Sequence, residues 1–260
     1  MCFEWDASPP YVPADLLHAR AAGGAAAELL ELESVDGTRF SAAFAGTAEP
    51  REGGPAVVVY PDVRGLYPFY IELAERFAQA GYHAIAIDYF GRTAGLGPRG
   101  EDFDFMEHVP RTKSSQIQED TAAALAAVTD RTGVARAAPV GFCFGGGESF
   151  LATTNADLGL AGAVGFYAGL TRARWDGLER PLDRAADMRG PLLGLFGGAD
   201  ESIPVEEVDD FRRRLDEAGV ENEIHVYPDT PHSFFDRKQE EYAAESEDAW
   251  RRVLAFLERL

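Results

Sequence analysis

The heptapeptide GFCFGGG at positions 141–147 constrains this chain more than any other stretch. It closes the apolar run AAPVGF, so a strand runs straight into a cluster of glycines. A strand that carries a reactive side chain into a sharp turn and then into a helix needs small neighbours, because a Cβ would collide with the crowded backbone. The order Gly-x-Cys-x-Gly is that of a nucleophile elbow with sulfur in place of oxygen. Cys143 is thereby the first candidate for chemistry.

The segments around the elbow alternate between two periods. Irregular sequence with Pro9, Pro10 and Pro13 leads in over residues 1–24, and AAAELLELES and TRFSAAFAG around Asp36-Gly37 read as a hairpin. PAVVVYPDV is a compact, β-branched, buried strand. Residues 68–80 place Phe69, Leu73, Ala74 and Phe77 at helical spacing, with Gly81 as the stop. HAIAIDYFG is the next strand, a Gly-rich loop covers 91–100, and residues 114–130 form a helix with Ile117, Thr121, Leu125 and Val128 on one face. Beyond the elbow, AGAVGFYAG and PLLGLFGG are strands, VEEVDDFRRRLDEAG is a helix closed by Gly219, ENEIHVYP is the last strand, and 240–260 is a long helix. This alternation calls for an α/β fold, a mostly parallel doubly wound sheet with helices on both faces and the N-terminal hairpin at its edge. The expected organisation is an irregular extension over 1–24 and one domain over 25–260.

Composition narrows the partners. A formal charge of -20, from 44 acidic against 24 basic residues, repels phosphate backbones and anionic membrane surfaces, so neither nucleic acid nor a membrane is expected. Cys2 and Cys143 stand far apart and suggest no disulfide framework, which fits a reducing compartment. The start of the chain lacks the basic and apolar regions of a signal peptide, and no run of about 18 apolar residues occurs, so the expected location is the cytoplasm. There is no phosphate-binding loop or dinucleotide fingerprint, and His18, His83, His108 and His225 form no metal-ligand spacing, so no cofactor or metal is expected.

A thiol of ordinary acidity is mostly protonated at neutral pH and needs a base before it attacks a carbonyl carbon. In an α/β-hydrolase the nucleophile, an acid and a histidine follow in that order, each just beyond a strand. Downstream of Cys143, LFGGADESIP sets Asp200 in such a loop and YPDTPHSFF sets His232 in another, with Asp229 the rival acid. Cys143, Asp200 and His232 are therefore the expected catalytic group.

At these residues the sequence resembles the dienelactone hydrolases, cysteine-dependent members of the α/β-hydrolase fold. The resemblance runs from about Leu32 to the end and rests on GFCFGGG, LFGGADESIP, PHSFF, PDVRG and DYFGR. It implies a Cys-Asp-His triad on Cys143, Asp200 and His232. It also implies a carboxylate beside the thiol, where this chain has Asp62 in place of the family's glutamate. The fold implies oxyanion donors at the amides of Val63 and Phe144. Family members clamp a substrate carboxylate with arginines, a role carried here to Arg92, with Arg64 and Arg237 as candidates for the second. Arg237 is displaced by one position, and Asp236 takes the expected slot.

The expected function is a small-molecule hydrolase that opens a dienelactone-like enol-lactone, or a small carboxylate-bearing ester, through an acyl-thioester. An esterase of other specificity on the same scaffold, and a thiol-sensing protein in which Cys143 is oxidised, are the alternatives. The loop GLGPRGEDFDFMEHVPRT is either a lid on the site or a surface loop. Oligomeric state is not legible.

Overall fold

Each of the apolar runs becomes a strand: β1 (Glu28–Glu33), β2 (Arg39–Ala45), β3 (Ala56–Tyr60), β4 (Ala84–Ile87), β5 (Ala137–Phe142), β6 (Ala163–Phe166), β7 (Leu192–Gly197) and β8 (Asn222–Tyr227). The computed structural model describes residues 7–18, 26–97, 99–171 and 176–260. The strands form one sheet in the order β1-β2-β4-β3-β5-β6-β7-β8. β1 and β2 pair antiparallel, β2 joins β4 antiparallel, and all pairs from β4 to β8 are parallel. The hairpin thus lies at one edge, and the sheet is mostly parallel, an α/β-hydrolase fold.

β3 shows why a parallel strand reads as an unbroken apolar run. Val57 and Val59 pack with Phe69, Leu73, Phe77 and Trp250 on one face, whereas Ala56, Val58 and Tyr60 pack with Ile117, Ala124 and Val128 on the other. Both faces are covered, so alternation is hidden and every residue of the strand is buried. Full burial of each such side chain is worth roughly 1.5–3 kcal/mol. The helices Pro68–Gln79 and Ala243–Arg259 cover the first face, and Ser114–Thr132 covers the second. Gly133, at φ 75°, ends the last of these by donating its amide to the Thr129 carbonyl at 2.8 Å.

The described part of the N-terminal extension, residues 7–18, has no regular structure but is docked. Val12 is buried, the Trp250 indole donates to the Pro10 carbonyl at 3.1 Å, and Arg251 meets Asp15 at 2.7 Å. Cys2 and the rest of the extension lie outside the described residues. The loop over 95–112 is pinned rather than loose: Arg99 reaches the buried Asp88 at 2.7 Å, and Phe103 packs on Phe90 and stacks on His108. Within it Phe105–His108 forms a single helical turn that sequence periodicity did not suggest. No helix among the described residues is long and apolar enough to cross a membrane.

Candidate active site

The loops that leave the carboxyl ends of β3, β5, β6, β7 and β8 carry Asp62 to Arg64, Cys143, Tyr167, Asp200 and His232 in turn. This is the end at which open parallel sheets place their ligands.

Cys143 sits in the elbow at φ 54° and ψ -111° and immediately precedes the helix Phe144–Ala152. Its amide donates to the Phe166 carbonyl at 3.0 Å, and its own carbonyl accepts from Gly147 at 3.3 Å and Gly169 at 3.2 Å. The flanking glycines are required by packing. A Cβ on Gly141 would lie 2.0 Å from the Gly145 carbonyl oxygen, and one on Gly145 would lie 2.2 Å from the Pro61 carbonyl oxygen. The elbow helix therefore presses its first turn against the backbone that follows β3. That backbone is held in place, since Tyr89 donates its hydroxyl to the Pro61 carbonyl at 2.9 Å. The amides of Val63 and Phe144 come from these two adjoining segments. A helix N-terminus at Phe144 adds positive potential beside the thiol.

The acid and the histidine meet. His232 Nδ1 lies 2.6 Å from Asp200 Oδ2, and the other carboxylate oxygen, Oδ1, accepts the Ser202 amide at 2.8 Å and its hydroxyl at 2.6 Å. Burial pushes the Asp200 carboxyl up, but the hydrogen bonds from His232 and Ser202 outweigh it and hold the group below the usual carboxylate range. Tyr167 lays its ring against the His232 imidazole with centroids 4.7 Å apart. Among the described residues only Cys143, Tyr167 and Ser233 are non-glycine residues at positive φ. All three belong to the elbow, the end of β6 and the histidine loop, so the strained backbone is concentrated at the site. Asp229, the rival acid, is exposed.

Asp62 and Arg64 form a buried pair: the Arg64 guanidinium donates to Asp62 Oδ2 at 2.6 Å, and the Arg64 amide donates to Oδ1 at 2.8 Å. Asp236 lies 3.6 Å from the same guanidinium, and the Tyr67 ring covers it at 4.1 Å. Burial would favour the neutral arginine, but Asp62 overrides it and raises the Arg64 pKa. Arg237 is held at its backbone, where its amide donates to the Asp236 carboxylate.

Arg92, the expected clamp for a substrate carboxylate, has its guanidinium engaged by partners within the protein. It donates to Asp120 at 2.7 and 2.9 Å, to Asp36 at 2.8 Å, to Ser34 at 3.0 Å and to Glu119 at 3.3 Å. Arg92 is a staple between the hairpin turn and the helix Ser114–Thr132.

The family model of the dienelactone hydrolases matches residues 40–260. The chain belongs to that family. A protein of Escherichia coli (strain K12), provisionally named carboxymethylenebutenolidase, is 33% identical over 216 residues, which span 79% of this chain and 77% of the relative. One from Methylorubrum extorquens under the same provisional name is 31% identical over 214 residues, 79% of this chain and 73% of the relative. Among crystal structures, a provisionally named dienelactone hydrolase from Klebsiella pneumoniae superposes with a TM-score of 0.76 at 28% identity, covering 90% of this chain and 100% of its own. An esterase from Pyrococcus furiosus reaches a TM-score of 0.69 at 18% identity, with 97% of each chain covered, and shares the fold. This protein is a hydrolase of the dienelactone hydrolase type.

Sequence reading located the elbow, Asp200 and His232, but missed Ser202, Tyr167 and the link from Arg64 to Asp236. The Asx turn that Asp200 makes with the Ser202 amide was open to sequence reasoning, whereas the second bond, from the Ser202 hydroxyl, had no signal because the turn needs only a backbone N–H. Tyr167 had only its position one residue past a strand end.

Proposed function

We propose that this protein hydrolyses a lactone or small carboxylic ester with Cys143 as nucleophile, His232 as base and then acid, and Asp200 as the group that orients the imidazole. The observation that carries the reading is the short Asp200–His232 hydrogen bond between the loops that follow β7 and β8, with Cys143 in a positive-φ elbow at the same carboxyl end of the sheet. Asp200 stays ionised at neutral pH, so it accepts the Nδ1 hydrogen, leaves Nε2 as the basic nitrogen, and stabilises the imidazolium that forms.

The steps follow from these roles. His232 takes the thiol proton as Cys143 Sγ bonds to the carbonyl carbon, and the carbonyl oxygen becomes an oxyanion received by the Val63 and Phe144 amides. Collapse breaks the carbon–oxygen bond of the ester, and the imidazolium returns the proton to the departing oxygen. In a lactone that oxygen stays tethered to the acyl group, so the ring opens without loss of a fragment. A water molecule, deprotonated by His232, then attacks the thioester, and the carboxylic acid leaves as Cys143 recovers its proton. Asp62 orders the loop that carries Val63.

The test is acyl-enzyme trapping. Wild type mixed with a p-nitrophenyl ester and quenched in acid should carry the acyl mass on the peptide containing Cys143, and Cys143→Ala should neither carry it nor release nitrophenol above background. Turnover that survives in Cys143→Ala at equal folded concentration defeats the assignment.

A further inference from the structure

We infer that Arg99 is a positioning residue for the hydrolysis: through Asp88 it holds in place the backbone segment that carries the Val63 amide. The inference rests on the hydrolase reading above and gives Arg99 no contact with substrate. The segment runs from Pro61 to Leu66, between β3 and the helix Pro68–Gln79, and residues beyond the end of β4 grip it at both ends. At its start the Pro61 carbonyl accepts the Tyr89 hydroxyl at 2.9 Å. At its end the Leu66 amide donates to Asp88 Oδ1 at 3.1 Å, and the Leu66 carbonyl accepts the Arg99 amide at 2.9 Å. Between them Gly65, at φ 75°, lies so close to the carboxylate that a Cβ there would stand 2.7 Å from Asp88 Oδ1. The segment and the carboxylate are therefore in direct contact, which only a glycine permits.

Asp88 serves as this anchor only while its charge is matched. Its side chain has no exposed surface, and besides the Leu66 amide it accepts the Phe90 amide at 3.0 Å. Arg99 supplies the countercharge as a fork, Nε donating to Oδ1 at 3.2 Å and Nη2 to Oδ2 at 2.7 Å. The guanidinium is itself fixed: it donates to the Gly95 carbonyl at 2.7 Å and lies over the Phe103 ring at 4.7 Å, and the residue is only 6% exposed. A bidentate pair in this setting fixes the rotation of the carboxylate, and with it the direction of the Leu66 amide bound there. Val63 lies three residues upstream. Its amide must aim at the position of the oxyanion, and a misplacement of about an ångström costs about a hundredfold in rate. The loop over 95–112 thus acts on the chemistry through the segment it grips.

The test compares Arg99→Gln and Arg99→Lys with wild type on p-nitrophenyl acetate, beside two probes that separate the oxyanion from the thiol. With trifluoroacetone, Cys143 Sγ bonds to the carbonyl carbon, the thiol proton passes to His232, and the oxygen becomes an anion held by the same amides. With iodoacetamide, Sγ displaces iodide and no oxyanion forms. Arg99→Gln should lower kcat about thirtyfold with KM within about twofold, and should weaken inhibition by trifluoroacetone by about the same factor. Its alkylation rate should stay within about twofold of wild type. Arg99→Lys, which keeps the charge but loses the fork, should fall between, about fivefold below wild type in kcat. An unchanged kcat in Arg99→Gln overturns the inference, and so does alkylation that slows in step with kcat; the hydrolase reading stands in both cases. Wild type that neither turns over the ester nor takes up acetyl on Cys143 removes the hydrolase reading and this inference with it. If Arg99→Gln does not fold, Arg99→Lys decides by the same split: lowered kcat with unchanged alkylation supports the role, and full kcat overturns it.

Discussion

Five residues beyond the nucleophile, Glu148 is almost completely buried within the elbow helix, 4% exposed. Ser114 donates its hydroxyl to Oε1 at 2.9 Å, while Oε2 has no hydrogen-bond partner among the described residues. Burial therefore pushes the carboxyl up to about 8, against the Ser114 bond and with help from the charge of Glu179. Because the folded chain holds this proton more tightly than the unfolded chain, the stabilisation is complete below the unfolded value and is lost as pH rises through about 8. At 1.36 kcal/mol for each pH step between the two values, the full loss is about 5 kcal/mol, of which about 2 kcal/mol falls between pH 6 and pH 8. Glu148→Gln removes the titration while keeping the side-chain shape. Urea unfolding at pH 6, 7 and 8 should show wild type losing about 2 kcal/mol more than the variant across that span, equivalent to roughly 4–8 °C in Tm for a domain of this size. Parallel stability curves for the two proteins would refute the assignment of a protonated carboxyl to position 148.

Two further substitutions separate roles that sequence alone blurs. Arg92→Ala strands Asp120, whose side chain is 1% exposed, and should cost about 3 kcal/mol in urea unfolding; the ratio of activities toward anionic and neutral esters should not move, whereas a clamp would shift it. Ser202→Ala removes one of the two hydrogen bonds that fix Asp200 Oδ1 and should lower kcat about tenfold with KM little changed. Ser202→Thr should restore most of that loss, and the acid limb of the kcat pH profile should move upward in the alanine variant, because Asp200 loses a bond that favours its ionised form.

What could be read from the chain and what could not divides along contact distance. The elbow was legible because its glycines are demanded by neighbours within a few residues, as the 2.0 Å approach of Gly145 to a Cβ on Gly141 shows. Asp200 and His232 were legible because each follows a strand in a Gly- or Pro-marked loop, β7 for Asp200 and β8 for His232. The role of Arg92 was not, because the acids that claim it lie 56 and 28 residues away, on the hairpin turn and on a helix face. The link from Arg64 to Asp236 joins the loops after β3 and β8, four strands apart in the sheet, and neither motif carries any mark of the other. Short helical turns such as Phe105–His108 escaped because a single turn has no period to detect.

The docking of residues 7–18 against the C-terminal helix sets an order of events during synthesis. Pro10 accepts its hydrogen bond from Trp250, 240 residues later in the chain, and Asp15 pairs with Arg251 beside it. Until that helix has been made, the helix Pro68–Gln79 lacks the indole that packs on Phe77, and the leading segment lacks its seat. Residues 7–18 are thus among the last of the described segments to settle, and a nascent chain shows an apolar face on the helix Pro68–Gln79 until Trp250 has been added.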